Sequence, residues 1–269
     1  GISAMSCLLS KLVKQYRVNY EESQLPTLNE VGDLYYSKRI DGKSHIFINK
    51  NQCEKKILEP GKRGTFDDSG VMPSCVVKDK LYYTGWNTNK SSVNYRHGIG
   101  VLLNNERIYN GPVLDRTLDV PYLCNSPCVL FFDEFYHMWF CNGTGWIDDF
   151  PTYGISYAKS CDGFLWCVNK NIFGGEKEAW SRPCVKIIDN KFYMWCSIKE
   201  KNTNYQIFEF SSDNAFEWTL NGKVLILKED WNSEMNCYPW IVKIDNTIKM
   251  FFNGNGFGKT GIGCCVYEI

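Results

Sequence analysis

Short apolar, aromatic-rich runs alternate with polar turns along this chain, and the alternation repeats. Aligned on one proline, four segments superimpose: PSCVVKDKLYYTGWN from Pro73, PCVLFFDEFYHMWFCN from Pro127, PCVKIIDNKFYMWCS from Pro183 and PWIVKIDNTIKMFFN from Pro239. The four prolines stand 54, 56 and 56 residues apart. Each copy is an apolar run, a polar turn holding Asp or Lys, and an aromatic run, which predicts a β-hairpin opening every unit. A second half-motif follows: YGISYAKSCDGFLW ending at Trp166, YQIFEFSSDNAFEW ending at Trp218, and an earlier counterpart, DLYYSKRIDGKSHIFIN. These segments are expected to form the outer two strands of each unit. The earliest implies a divergent unit beginning near Pro26, 47 residues before Pro73, which brings the number of units to five. Four strands recurring at a period of about 50 residues mark a propeller rather than a solenoid. The pattern therefore predicts an all-β fold, a five-bladed β-propeller with four-stranded antiparallel blades, as one domain over residues 5–269.

The final unit ends in GIGCCVYEI with only three strands, so ring closure is expected to use both ends of the chain. Ser6 to Val18 supplies the fourth strand in this scheme, although Leu8, Leu9, Leu12 and Val13 also fit the period of a short helix. Gly1 to Ala4, ahead of Met5, read as a remnant of expression and are left out of the fold argument.

Composition narrows the function. The 269 residues are 44% hydrophobic and 15% aromatic, which suits strands packed face to face. Lys plus Arg equals Asp plus Glu at 30 each, so no net positive field recruits a nucleic-acid polymer or an anionic membrane surface. No stretch is long and apolar enough for a membrane span, and no signal-peptide pattern opens the chain. The thirteen cysteines, many inside predicted strands, are expected to be reduced and buried, as in a cytoplasmic protein. His45, His97 and His137 are scattered and no CxxC pair occurs, which gives zinc little support.

In a propeller blade the first strand begins near the axis and the second, antiparallel to it, ends at the same mouth. Five residues before the proline, a carboxylate recurs in four of the five units, at Glu21, Asp68, Glu178 and Glu234, with Tyr122 the exception. Such a ring of acids suits glycosidic cleavage, in which a protonated acid feeds the leaving oxygen while an ionised one activates water or attacks carbon. Crowded like charges in a partly dry pocket hold one member protonated near neutral pH. The competing explanation is a turn cap shared by every unit, since Asp bonds its own backbone in turns. The hairpin ends supply Trp86 and Asn87, Asn142 and Trp146, and Asn253 and Asn255, interleaved with glycines. That composition suits a sugar-binding rim, because Trp packs on a sugar ring and Asn both donates to and accepts from hydroxyls. Asn-Gly pairs also make good turns in their own right. Trp139, Trp166, Trp195 and Trp218 fall inside the repeated pattern and are expected in the core.

The segments GTFDDSGVMPSCVV, LYYTGWN, SRPCV, and SEMNCYPW with FFNGNGFGKTG resemble the five-bladed propeller glycosidase superfamily that includes glycoside hydrolase families 32, 43 and 130. The resemblance is closer to a bacterial group of glycosyl-hydrolase-like proteins from surface-polysaccharide gene clusters, and it spans residues 20–269. It implies an Asp on an early blade as base or nucleophile, an acid on a following blade that tunes pKa, and a later Glu as general acid. These roles map to Asp68, Asp119 and Glu178, with Asp67, Asp115 and Glu234 as substitutes. Families 32 and 43 place an Asp directly before the proline, where this chain has Met72, Ser126, Arg182 and Tyr238. Phosphorolysis, transfer or plain binding therefore stay open beside hydrolysis. Phosphate would need a basic cluster, for which Arg96, His97, Arg116 and Arg182 are candidates. Arg182 has a second reading as a blade-to-blade ion pair. The resemblance allows an axial calcium ion on Asp and Asn oxygens and implies no other cofactor. The implied partner is a carbohydrate or glycan precursor, met by a glycosidase-like enzyme or, alternatively, by a non-catalytic binding propeller or a phosphorylase.

Overall fold

The computed structural model describes residues 6–269, so Met5 and the expected remnant Gly1–Ala4 lie outside the described residues. Strand β1 (Lys11–Asn19) leads into a series of meanders. The first meander holds β2 (Gln24–Leu28), β3 (Leu34–Ile40), β4 (Lys43–Lys50) and β5 (Cys53–Leu58); the second holds β6 (Gly70–Val77), β7 (Lys80–Thr88), β8 (Tyr95–Leu103) and β9 (Glu106–Arg107). The third comprises β10 (Cys124–Phe132), β11 (Phe135–Ile147), β12 (Phe150–Ser160) and β13 (Cys167–Phe173). The fourth comprises β14 (Glu178–Ile188), β15 (Lys191–Glu200), β16 (Gln206–Ser212) and β17 (Thr219–Lys223). Last come β18 (Cys237–Ile244), β19 (Thr247–Asn253), the short helix α1 (Asn255–Gly258) and β20 (Ile262–Glu268). Pairing inside each meander is antiparallel, and single parallel bridges, Ser44 to Gly70 and Tyr153 to Ala179, join neighbouring meanders. The first strands touch in the order β2, β6, β10, β14, β18 and back to β2, a closed ring.

The repeated proline has a structural reason. It lacks the N–H that a ladder needs, so it is accommodated at a bulge, and the register of all five first strands shifts beside it. In four of them the residue before the proline takes a positive φ: Leu25 at 61°, Ser126 at 52°, Arg182 at 54° and Tyr238 at 58°. The polar turns that the repeat predicts are two-residue hairpin turns. Asp133 and Glu134 (φ 50° and 66°) close β10 onto β11, and Asp189 and Asn190 (50° and 61°) close β14 onto β15, the geometry that matches strand twist.

Ring closure follows the strand alternative, since β1 pairs antiparallel with β20 from Lys11 opposite Glu268 to Asn19 opposite Ile262, and Leu8, Leu9, Leu12 and Val13 lie in no helix. The expectation of two outer strands in each second half-motif is corrected: 153–166 and 205–218 each hold the third strand and the turn after it, β13 and β17 starting beyond Trp166 and Trp218, and the early segment 33–49 differs again. It forms β3 and β4, the second and third strands rather than the outer two, because the first strand of that meander is the short run at Gln24–Leu28. Trp139 and Trp195 are fully buried, and Trp166 and Trp218 pack half-buried against the core. All thirteen cysteines are free, ten of them buried.

Candidate functional site

A cavity of about 390 Å³ opens where first strands begin and second strands end, the mouth that the repeat predicts. Gln24, Met72 and Tyr238 reach it from β2, β6 and β18, while Arg39, Trp86 and Lys199 reach it from the ends of β3, β7 and β15. Tyr95, His97, Phe150, Pro151 and Tyr153 enter from β8 and β12; Tyr205 and Phe257 come from the loop before β16 and from α1. The bulge at Tyr238 is pinned by its N–H, which donates to Ser197 Oγ at 2.8 Å. A second cavity, about 630 Å³, opens where the first strands end, lined by Asn29, Glu30, Lys78, Lys186, Lys243, Phe131, Phe132, Trp240 and apolar residues between them. It is larger and has aromatics and lysines of its own, but tyrosines and a histidine converge only on the mouth, among aromatic rings and with no acid beside them.

The mouth is built from rings held by one another. Tyr95 stacks on His97 at 4.8 Å, Trp146 meets Tyr95 edge-on at 5.4 Å, and Tyr238 stacks on Phe257 at 6.5 Å. The Tyr153 and Tyr205 hydroxyls share a hydrogen bond of 2.9 Å, and Trp86 Nε1 donates to Ser44 Oγ at 2.9 Å. Burial pushes His97 down to about 4, so its imidazole is neutral. The Asn125 amide donates to His97 Nδ1 at 3.0 Å, which leaves the ring proton on Nε2. Burial, helped by Asp149, pushes Tyr95 up to about 12, so that hydroxyl keeps its proton.

No aspartate or glutamate lines the cavity. The acids expected there have other work in the fold. Asp67 is fully buried, accepting from Arg107 Nη2 at 2.6 Å, Tyr83 at 2.9 Å and Thr65 at 3.1 Å. Asp68 caps its turn, accepting from the Gly64 N–H at 2.8 Å and from Ser69, and faces a separate small crevice with Lys43 and Arg63. Glu178 accepts from Trp180 Nε1 at 2.7 Å. Glu21 and Glu234 are exposed; Asp119 offers its backbone carbonyl to Asn142, and Asp115 accepts from the Arg116 N–H. All of them precede the bulge, Glu178 as the first residue of β14, and the short carboxylates Asp68 and Asp115 meet backbone N–H groups in the turns that lead into the first strands.

Among the expected binding residues, Trp86, Tyr238 and the phosphate candidate His97 line the mouth and the others do not. Asn142 and Asn253 are buried staples. Asn253 accepts from the Leu25 N–H and donates to Ser23 and Gly261 carbonyls, each within 2.9 Å, and Asn142 donates to Asp119 and Ser156. Asn255 holds the 230–235 loop through four hydrogen bonds, so the turn reading of these asparagines prevails. Trp146 stands behind Tyr95, Asn87 lies outside the lining, and Arg116 is exposed away from it. Arg182 is neither a substrate clamp nor an ion pair. Its side chain is 1% exposed, donates from Nη2 to Thr27 Oγ1 and to the Ser74 carbonyl at 3.1 Å, and lies over Trp240 at 5.3 Å. A side chain from β14 that touches β2 and β6 crosses the centre of the ring.

An axial calcium ion does not fit these residues. The centre carries the Arg182 guanidinium, and among the described residues no group of three or more His, Cys, Asp or Glu is placed to hold a metal. Sequence reading missed most of the mouth. Two signals were present: Arg39 stands 13 residues after Pro26 as Trp86 stands 13 after Pro73, and Tyr95 stands 22 after Pro73 as Tyr205 stands 22 after Pro183.

No family model matches the chain. Over 232 residues it is 32% identical to "Uncharacterized protein MT1551" and "Uncharacterized protein Rv1502" of Mycobacterium tuberculosis, covering 79% of this chain and 76% of each relative. Among solved structures, that of a BT0996 RGII complex aligns with a TM-score of 0.73 at 12% identity, over 96% of this chain and 91% of the other. The α-L-arabinofuranosidase from Lactobacillus brevis aligns at 0.66 and 10%, over 94% and 92%. A GH32 β-fructofuranosidase of Bombyx mori aligns at 0.63 and 15%, over 92% and 60%. These likenesses show the fold, that of the propeller glycoside hydrolases.

Proposed function

The chain belongs to the same family as the mycobacterial proteins MT1551 and Rv1502, and from that premise we propose that it is a one-domain, five-bladed propeller that binds a carbohydrate in its mouth. The lining of the mouth carries this reading. Faces of Trp86, Phe150, Tyr238 and Phe257 stand among donors from Arg39, His97, Lys199 and the tyrosines. Aromatic faces pack on the apolar side of a sugar ring, and fixed donors meet its hydroxyls. The closed ring of first strands supports five blades, and a structural neighbour solved as an RGII complex supports a glycan partner. The ten buried free thiols support a reducing cytoplasm.

Paired-carboxylate cleavage needs two acids facing the scissile bond, about 5 to 9.5 Å apart, and the mouth presents none. Glycosidase-like cleavage or transfer in surface-polysaccharide metabolism is the second reading. It is favoured by the shared fold and by Asp149, exposed beside Phe150 and close enough to act on Tyr95. Calorimetric binding and turnover assays over a panel of mono- and oligosaccharides, with and without phosphate, separate the two. The expected result is binding without turnover, weakened about tenfold in Trp86→Ala and unchanged in the Asp68→Asn, Glu178→Gln double variant. Turnover abolished in the double variant would reverse the order of the readings, and no sugar bound at all would refute the first.

A further inference from the structure

The mouth of a chain with no net charge is charged on one side only. Its lining holds two cations, Arg39 and Lys199, and no acid. Six ion pairs form among the described residues, and neither Arg39 nor Lys199 belongs to one of them. Lys199 is half-buried, its Nζ over the rings of Phe150 at 5.2 Å and Tyr205 at 5.7 Å. Arg39 is exposed at the rim, with its guanidinium 5.5 Å from the centre of the Trp86 ring. Asp149 is the acid next to the lining, yet it stands exposed at a hairpin turn and outside the cavity. Asp148 beside it is already paired with Lys201.

An ammonium that has given up part of its hydration without gaining a counter-charge is a standing cost. Burial duly lowers the pKa of Lys199. A neutral sugar entering the mouth would strip more water from Lys199 and return no charge. An anionic sugar would replace that water with a charge-assisted hydrogen bond. The neutral His97 and the protonated Tyr95 add donors without adding charge.

Resting on the reading of the mouth as a carbohydrate site, we infer that its ligand is an anionic sugar whose phosphate or carboxylate is held by Lys199, with Arg39 at the rim favouring its approach. Lys199 is the anchor because it is the desolvated member of the pair. Arg39, in water, acts mainly through its field and is screened by salt.

The test is calorimetric titration of the whole protein with matched sets: a hexose, its 6-phosphate, its uronic acid, and inorganic phosphate, repeated for the gluco, galacto and manno series at low and high salt. At least one anionic sugar is expected to bind tenfold or more tightly than its neutral parent, and raised salt should weaken it. Lys199→Met should remove about tenfold of that preference and Lys199→Arg should restore most of it, while Arg39→Met costs about threefold at low salt only. The phosphate and uronate arms tell which anion is preferred. Neutral sugars that bind as tightly as their anionic partners, with no change in Lys199→Met, would overturn this inference and leave the carbohydrate site standing. Inorganic phosphate binding as tightly as every sugar phosphate would overturn it too, since the sugar would then contribute nothing. Binding of no sugar of either kind would overturn both readings.

Discussion

Glu209 shows how this chain uses a carboxylate out of reach of solvent. One oxygen accepts from the Leu8 N–H at 2.7 Å and the Asn221 amide at 2.9 Å, and the other accepts from the Leu9 N–H at 3.2 Å and Trp195 Nε1 at 3.0 Å. In Glu209→Gln the amide nitrogen must face two donors whichever way it turns, so the variant should lose about 3 kcal/mol in urea unfolding. Asp67 is the same kind of residue. Asp67→Asn should lower stability by a similar amount, through the Arg107 ion pair, while sugar affinity stays within about twofold of the parent. His97 sets a pH dependence whose sign follows from its neutral state. Burial lowers its folded pKa from 6.5 to about 4, so the unfolded chain takes up the proton first as the pH falls. Its contribution to stability is full above about 6.5 and is lost as the pH falls toward 4. Denaturation midpoints of the parent and His97→Gln, compared across that window, should converge at the acidic end. His45 and His137, also lowered by burial, titrate in both proteins and cancel.

Among the elements, what the sequence made legible was whatever recurs at a fixed offset. The proline, its hairpin and the missing strand of the last unit were readable because a bulge, a two-residue turn and a closing strand obey local rules, and each repeats or is conspicuously absent. The acid ring was equally periodic and equally local, yet its members do not face a ligand: Asp68 caps a turn, Glu178 holds the Trp180 indole, and Glu21 and Glu234 are exposed. The mouth was hard to read for the opposite reason. Lys199 and Phe257 meet there from β15 and α1, at offsets from the proline that no other lining residue shares. Two predictions belong at this scale. A chain begun at Tyr20 leaves β20 an unpaired edge and strips Glu209 of two donors, and should elute as aggregate in size-exclusion chromatography. Elution as a folded monomer would show that β1 is dispensable. Glu134 sits at φ 66° in its hairpin turn, so Glu134→Gly should raise stability by about 0.5 to 1 kcal/mol.

At the scale of the whole molecule, the ring of first strands leaves two openings of different character. One gathers tyrosines, His97 and two cations with no acid among them, and the other, though larger, sets lysines and aromatics beside Glu30 and apolar strand ends. Between them Arg182 crosses the centre, holding β2 and β6 to β14 from a position where glycosidases of similar fold are expected to place an aspartate before the proline. The same architecture thus carries a different centre, and the site follows from the side chains at the mouth and not from the fold alone. Indole N–H resonances report on the two openings separately, because Trp86 lines the mouth and Trp240 lines the far cavity. The most direct measurement is a titration of the 15N-labelled protein with the tightest-binding sugar, followed at both indoles. Movement of the Trp86 resonance with Trp240 unmoved is the predicted result. Movement of Trp240 with Trp86 unmoved would place the ligand at the opposite end of the ring and contradict the account.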